Sequence, residues 1–271
     1  MRTTTNNRNA QETQEGRASM SWDLEVFCRN TSDATIVEPM CWGKGGDMTY
    51  FEWMIHAWGW TLAVAISAWV IAVLVGFLVG VARTLPDSPI ATRLANAWVE
   101  LFRNIPILVQ LFLWYFVVPK AFPFFQKVPG FLLVIFALGF FTSARIAEQV
   151  RAGIQALSRG QRYAGMAVGF STAQTYRYVL LPMAFRIILP PLTSESMNLL
   201  KNSSVAFAVS IAELTWFATQ SYEETASMLM YVGVTVVYAI SAFVVNRIFA
   251  LVERRMRIPG FIVAGTGGGG H

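Results

Sequence analysis

One stretch of the sequence gathers hydroxyl, amide and charged side chains inside otherwise apolar surroundings: TSESMNLLKNSS, residues 193–204. At helical spacing Ser194, Asn198 and Lys201 share one side, while Glu195 and Asn202 share another. Charged groups within a bilayer are costly and by default mark a solute pathway. The alternative is that Glu195 and Lys201 meet the interface at the outer end of a span. A second stretch, SRGQRYAGMAVGFSTAQTYRYVLLP (residues 158–182), is polar and basic between two hydrophobic blocks, which makes it a loop on one side of a membrane. It carries two capping-box patterns, Ser158 with Gln161 and Ser171 with Gln174. The first predicts a short helix, stopped about two turns later by Gly169, where a residue able to take φ > 0 is favoured. Ala164, Gly165 and Ala167 are small and expected to be exposed on it, so another surface can approach its backbone. Such a helix is suited to docking.

No catalytic constellation accompanies these stretches. There is no GxxxxGK[ST] phosphate loop: residues 43–46 read GKGG, and the C-terminal GTGGGGH lacks the lysine. His56 and His271 have no HxxxH or HExxH partner, so no metal site is expected. Cys28 and Cys41 are the only cysteines. In an oxidising compartment they can pair, closing a loop worth ~3 kcal/mol in the chain-entropy view; the alternative is two free thiols.

The elements that must position these residues are membrane helices. The chain is 55% hydrophobic and only 14% charged, outside the range of soluble domains. Its net charge of +5 is not gathered on a soluble face, so it does not point to nucleic acid. Residues 1–52 carry five basic and eight acidic side chains. Arg83, Arg93, Arg103, Arg145, Arg151, Arg159, Arg162, Arg177 and Arg186 follow the first and third apolar runs, and Arg247, Arg254, Arg255 and Arg257 follow the last. The 203–227 segment has Glu213, Glu223 and Glu224 with no Lys or Arg. The positive-inside rule puts the N-terminus outside and the C-terminus inside, with an odd number of spans.

The spans are expected over residues 53–81, 101–118, 131–150, from 178 through a proline-interrupted stretch (Pro182, Pro190, Pro191), and over 227–251. Gly76 and Gly80 on the first are either a helix contact or two glycines in lipid. Glu100 can pair with Arg103, and Glu148 with Arg145 or Arg151. The 14 apolar residues 205–218 are too few for a span and suit a re-entrant or interfacial helix. The first ~19 residues are expected to be disordered, Met20 is an alternative start, and Pro259 onward closes the chain without structure. The organisation is therefore a periplasmic arm (1–52), a transmembrane domain (53–251) with a loop at 158–177, and a cytoplasmic tail (252–271).

The loop also carries a resemblance. Ala164, Gly165, Gly169, Val179, Leu181 and Pro182 fall in register with the E-A-A-x3-G-x9-I-x-L-P loop signature of ABC importer permeases, with Tyr163 in place of the Glu. The runs VELFRNIPILVQLF (99–112) and TSESMNLLKNSSVA (193–206) are similar to polar amino-acid permeases, nearest those for glutamate and aspartate. The resemblance covers roughly residues 50–260. It implies an all-α, polytopic membrane protein with five transmembrane helices and the type I ABC importer permease fold, located in a bacterial inner membrane. It implies ATPase coupling through Gly160, Gln161, Ala164, Gly165, Ala167, Gly169 and Pro182. The expected partners are a cytoplasmic ABC ATPase carrying ATP and Mg, a second permease subunit, homologous or identical, and a periplasmic substrate-binding protein. No cofactor is expected on this chain, and the chain itself is not expected to be an enzyme. The competing readings are an ion-coupled secondary carrier or channel, a structural anchor, and a permease for a neutral polar amino acid such as glutamine.

Overall fold

The computed structural model describes residues 23–37, 41–43, 48–86 and 88–256. The expectations for the first ~19 residues, for Met20 and for the tail beyond residue 256 lie outside them. Among the described residues the only extended pairings are two isolated bridges, Arg29 with Ile36 and Asn30 with Thr49. Everything else that is regular is helical.

The principal helices are α1 (Tyr50–Ala82), α2 (Pro89–Asn104), α3 (Ile107–Ala121), α4 (Gly130–Gln155), α5 (Arg159–Ala167), α6 (Leu181–Asn202), α7 (Leu214–Thr225) and α8 (Leu229–Met256). By length and apolarity α1, α4 and α8 can each cross a membrane, and α2 with α3 forms a bent pair that counts as a fourth span. The 22-residue α6 is long enough to cross but too polar to qualify by composition. Of the five expected spans, three are continuous apolar helices and a fourth is the bent pair counted as one; the expected proline-interrupted span falls on α6, which is not among the candidate spans.

Two of these differ from the sequence expectation. The second span is not a continuous helix over 101–118. Proline disfavours the α conformation in the residue before it, and Ile105, ahead of Pro106, is extended at φ −96° and ψ 130°. The chain turns by 106° there. The side chain of Gln110 covers the break, its amide donating to the carbonyls of Phe102 at 2.8 Å and Ile105 at 2.9 Å, which would otherwise be unpaired at a helix end. Conversely, Pro190 and Pro191 do not interrupt α6. They remove two backbone donors, yet the helix continues through them with Ile188, Leu189 and Leu192 buried around the site. The irregularity falls earlier, in a π-helical turn at Tyr176–Leu180 just ahead of Pro182.

The described residues fall into two compact units, those up to Trp60 with Ala212–Tyr238, and Thr61–Ile211 with those from Ala239 on. In the first, a 3-10 turn at Leu24–Cys28 is capped by Asp23, and Cys28 is joined to Cys41 by a disulfide. Glu52 accepts from the backbone of Gly43 and Thr49, both at 3.0 Å. An apolar cluster of Val26, Tyr50, Met54, Leu214, Phe217 and Met230 fills this unit. The 205–218 run is not one helix. A 3-10 segment, Ser203–Val209, ends at left-handed Ser210 (φ 58°), and α7 begins afresh with buried Glu213 as its cap, accepting from Thr215 and Trp216 at 2.9 Å.

In the second unit, α4 is the central element. It is 61% buried over its most apolar window, against 28% for α1 and 11% for α8. Glycines allow its close packing. Cβ atoms at Gly76 and Gly80 of α1 would come within 2.7 Å of Ile146 and 2.6 Å of Val150, so this small-xxx-small pair is a helix contact. At Gly153 of α4 a Cβ would collide with Ile188 of α6. The buried seam behind these contacts comprises Ala72, Ile146, Val150, Ile154, Ala184, Ile188 and Leu192.

Candidate functional site

The α5 helix runs nine residues, from Arg159 to Ala167. It stops where expected, with Gly169 at φ +84°. Its N-terminus is not capped as the sequence suggests, because the Ser158 side chain makes no capping bond. The second capping box does form: the Ser171 hydroxyl accepts from Gln174 N at 3.3 Å, and the Gln174 side chain accepts from Ser171 N at 2.8 Å.

The exposed face of α5 is more apolar than small. Tyr163 is 63% exposed, Met166 53% and Val168 74%, with Phe170 partly exposed beyond the helix. Gly160, Ala164, Ala167 and Pro182 are exposed, and Gln161 is half-buried. Gly165 is buried, contrary to the sequence expectation. It faces inward because a Cβ there would lie 2.9 Å from Thr175. The glycine thus lets α5 lie against the following Thr172–Thr175 turn. From that turn Tyr176 reaches back, its hydroxyl donating to the carbonyl of Thr84 at 2.5 Å just beyond α1. A short exposed helix is thereby linked to two others, to α4 through the chain and to the end of α1 through Tyr176.

The polar residues of α6 separate. Ser194 and Lys201 are exposed, Asn198 and Asn202 are half-buried, and Glu195 is only 6% exposed. Glu195 does not meet Lys201. It meets Arg145 of α4 in a two-pronged ion pair, Nε to Oε2 at 2.8 Å and Nη2 to Oε1 at 3.2 Å, and the Gln149 amide also donates to Oε1 at 3.2 Å. Of the expected pairings, Glu148 with Arg151 forms, whereas Glu148 with Arg145 and Glu100 with Arg103 do not. Glu148 pairs with Arg83 and Arg151, and lies 3.8 Å from Arg103, which makes no ion pair with Glu100. Arg103, Arg145, Glu148, Gln149 and Glu195 line one open cleft of about 240 Å³. Arg145 and Glu195 are 50 positions apart, so no local spacing announces the pair. Arg145 itself is visible in the sequence as a charge well inside an apolar run. No group of residues able to hold a metal ion occurs among the described residues.

Helices able to cross a membrane, packed around a charged cleft and presenting a short helix on a loop, define a membrane transport permease. The chain belongs to the family of binding-protein-dependent transport system inner membrane components, whose model matches residues 72–258. It is 40% identical over 226 residues, covering 79% of this chain and 92% of the relative, to the glutamate/aspartate import permease protein GltJ of Escherichia coli K12. It is 34% identical to the glutamine transport system permease protein GlnP of the same organism, over 73% of this chain and 90% of that one. Among solved structures it is similar to an amino-acid ABC transporter crystallised with histidines, with a TM-score of 0.67 and 31% identity, covering 76% of this chain and 95% of that one. The fold is that of type I ABC importer permeases, and the chain is the translocation subunit of an amino-acid importer, not its ATPase.

Proposed function

We propose that this chain forms the membrane path for acidic amino acids, glutamate and aspartate, and is driven by a separate ATPase docking on α5. The observation that carries the coupling is α5 with its C-terminal cap: Tyr163 and Met166 on the helix and Val168 at its cap are exposed apolar side chains, and Gly165 is packed inward. An apolar patch rimmed by polar residues is the usual mark of a protein contact, and here Arg159 and Arg162 supply the rim. Closure of two ATPase subunits on ATP would displace this helix and, through α4 and Tyr176, the spans beyond. A second permease subunit completes the path, and a binding protein delivers substrate from outside. The arginines after the first and third apolar runs favour a cytoplasmic α5 and a periplasmic N-terminal arm. The choice of acidic substrate is supported by the similarity to the glutamate/aspartate permease. The similarity to glutamine permeases makes a neutral amide substrate the second reading.

The test is uptake into proteoliposomes holding the permease pair and ATPase, with binding protein outside and ATP inside. Radiolabelled glutamate should accumulate only with ATPase and ATP present. Glutamine uptake in its place would select the second reading, and uptake without the ATPase would reject the coupling.

A further inference from the structure

We propose that Arg145 is the residue through which the permease recognises the extra carboxylate of an acidic amino acid, with Glu195 holding its guanidinium in place. The inference rests on the acidic-substrate reading above and gives it a site. Counting along the helix axes at about 1.5 Å per residue, Arg145 lies about 15 Å from the end of α4 and Glu195 about 21 Å from the start of α6. Glu195 is about 10 Å from the other end of α6, so neither residue lies in the terminal turn of its helix. Ionisable groups within a membrane span are costly, pair with one another and by default mark a functional site.

Three features distinguish it from a structural strut. The first is accessibility: both side chains line the cleft, but that of Arg145 is 44% exposed and that of Glu195 only 7%, so the cation is the more open to an entering solute. The second is charge. The cleft and the groups paired to it bring four guanidiniums, from Arg83, Arg103, Arg145 and Arg151, against the carboxylates of Glu148 and Glu195. Two positive charges remain in excess, and they favour an anionic solute. The third is an unmet acceptor, since the buried Oε1 of Gln149 beside the pair has no hydrogen-bond donor, and an ammonium group would supply one.

Arginine presents a planar fork that matches a carboxylate at two points, and Arg145 already holds Glu195 in that way. Glu195 takes only Nε and one Nη2 hydrogen of Arg145, and a guanidinium carries five donors, so a substrate carboxylate entering the cleft can take the remaining ones without leaving Glu195 as an unpaired buried charge. An amide in the same position cannot accept at two points and carries no charge. The volume, about 240 Å³, is that of about eight water molecules at roughly 30 Å³ each, which suits a single small amino acid.

The test uses the purified permease complex without binding protein, so that discrimination by the binding protein does not enter. Binding of radiolabelled L-glutamate is measured with L-aspartate or L-glutamine as competitor. The wild type should prefer aspartate over glutamine by at least about tenfold, in the direction expected where a site built to pair with a group rejects an analogue lacking it. The double variant R145Q/E195Q removes both charges together, so no buried carboxylate is left unpaired, and it should lose that preference. Arg145→Lys should weaken glutamate binding but keep the preference for acidic competitors. A double variant with the wild-type preference, or a wild-type complex that binds no glutamate, would overturn the assignment. The two failures separate: ATP-driven import of glutamate by a complex whose preference ignores Arg145 would defeat the assignment alone. Import of glutamine instead of glutamate would defeat the reading it rests on.

Discussion

At the scale of single residues, two glycines in and beside α5 do different work. Gly169 is the positive-φ stop, with open space around its Cα, so the cost of substitution is conformational and not steric. Placing an L-residue in the left-handed region costs about 1 kcal/mol or more, which alters a two-state population by about fivefold. Gly169→Ala should therefore lower ATP-driven uptake by about that factor while membrane insertion is unchanged, as measured by uptake per unit of protein in the membrane. Gly165→Val acts by contact. Its side chain would be driven into Thr175, pushing α5 away from the turn that supports it. Uptake should fall further than for Gly169→Ala, and ATP hydrolysis should become independent of binding protein. Gly169 is legible in the sequence through its position after a small-residue run, but nothing there signals that Gly165 faces inward. A motif shows which positions matter; the direction each one faces is set by its packing partner, and for Gly165 that partner is Thr175, ten positions further along the chain.

Among the elements, the helix breaks show where sequence reading succeeds and fails. Sequence alone marks Pro190 and Pro191 as breakers, yet both lie inside a continuous helix supported by buried neighbours. It reads a single span through Pro106, where the chain turns by 106°. The difference is physical. At Pro106 a buried amide, Gln110, covers the freed carbonyls and makes the turn affordable, whereas around Pro190 the packing of Ile188 and Leu192 in the buried seam holds the helix together. Helix existence and type in the apolar runs are legible from composition alone. The inter-helix ion pairs are not, because Arg145 with Glu195 and Arg83 with Glu148 join residues far apart in sequence, and periodicity speaks only about neighbours. The seam between α4 and α6 yields a prediction at this scale. Gly153→Ala forces a methyl group into Ile188, and overpacking of this kind costs about 1–3 kcal/mol. Thermal unfolding of the detergent-solubilised protein should begin at a lower temperature than in the wild type. An unchanged transition would show that this seam yields more readily than its packing suggests.

For the whole molecule, a charged cleft inside the helices and an apolar helix outside them are joined by α4, which runs to both. That arrangement explains why the chain carries no phosphate loop of its own. Under the proposed coupling the energy enters at α5 and is used at the cleft, so nucleotide chemistry can reside on another polypeptide. The most direct measurement is association of the purified permease with its ATPase, comparing wild type with V168D and Y163D, each of which places a charge on the exposed surface of α5 and its C-terminal end and disturbs no buried contact. The wild type should retain the ATPase through purification and import glutamate, and both variants should insert normally yet lose the ATPase and the import together. Retention of a fully active ATPase complex by both variants would contradict the coupling role of α5.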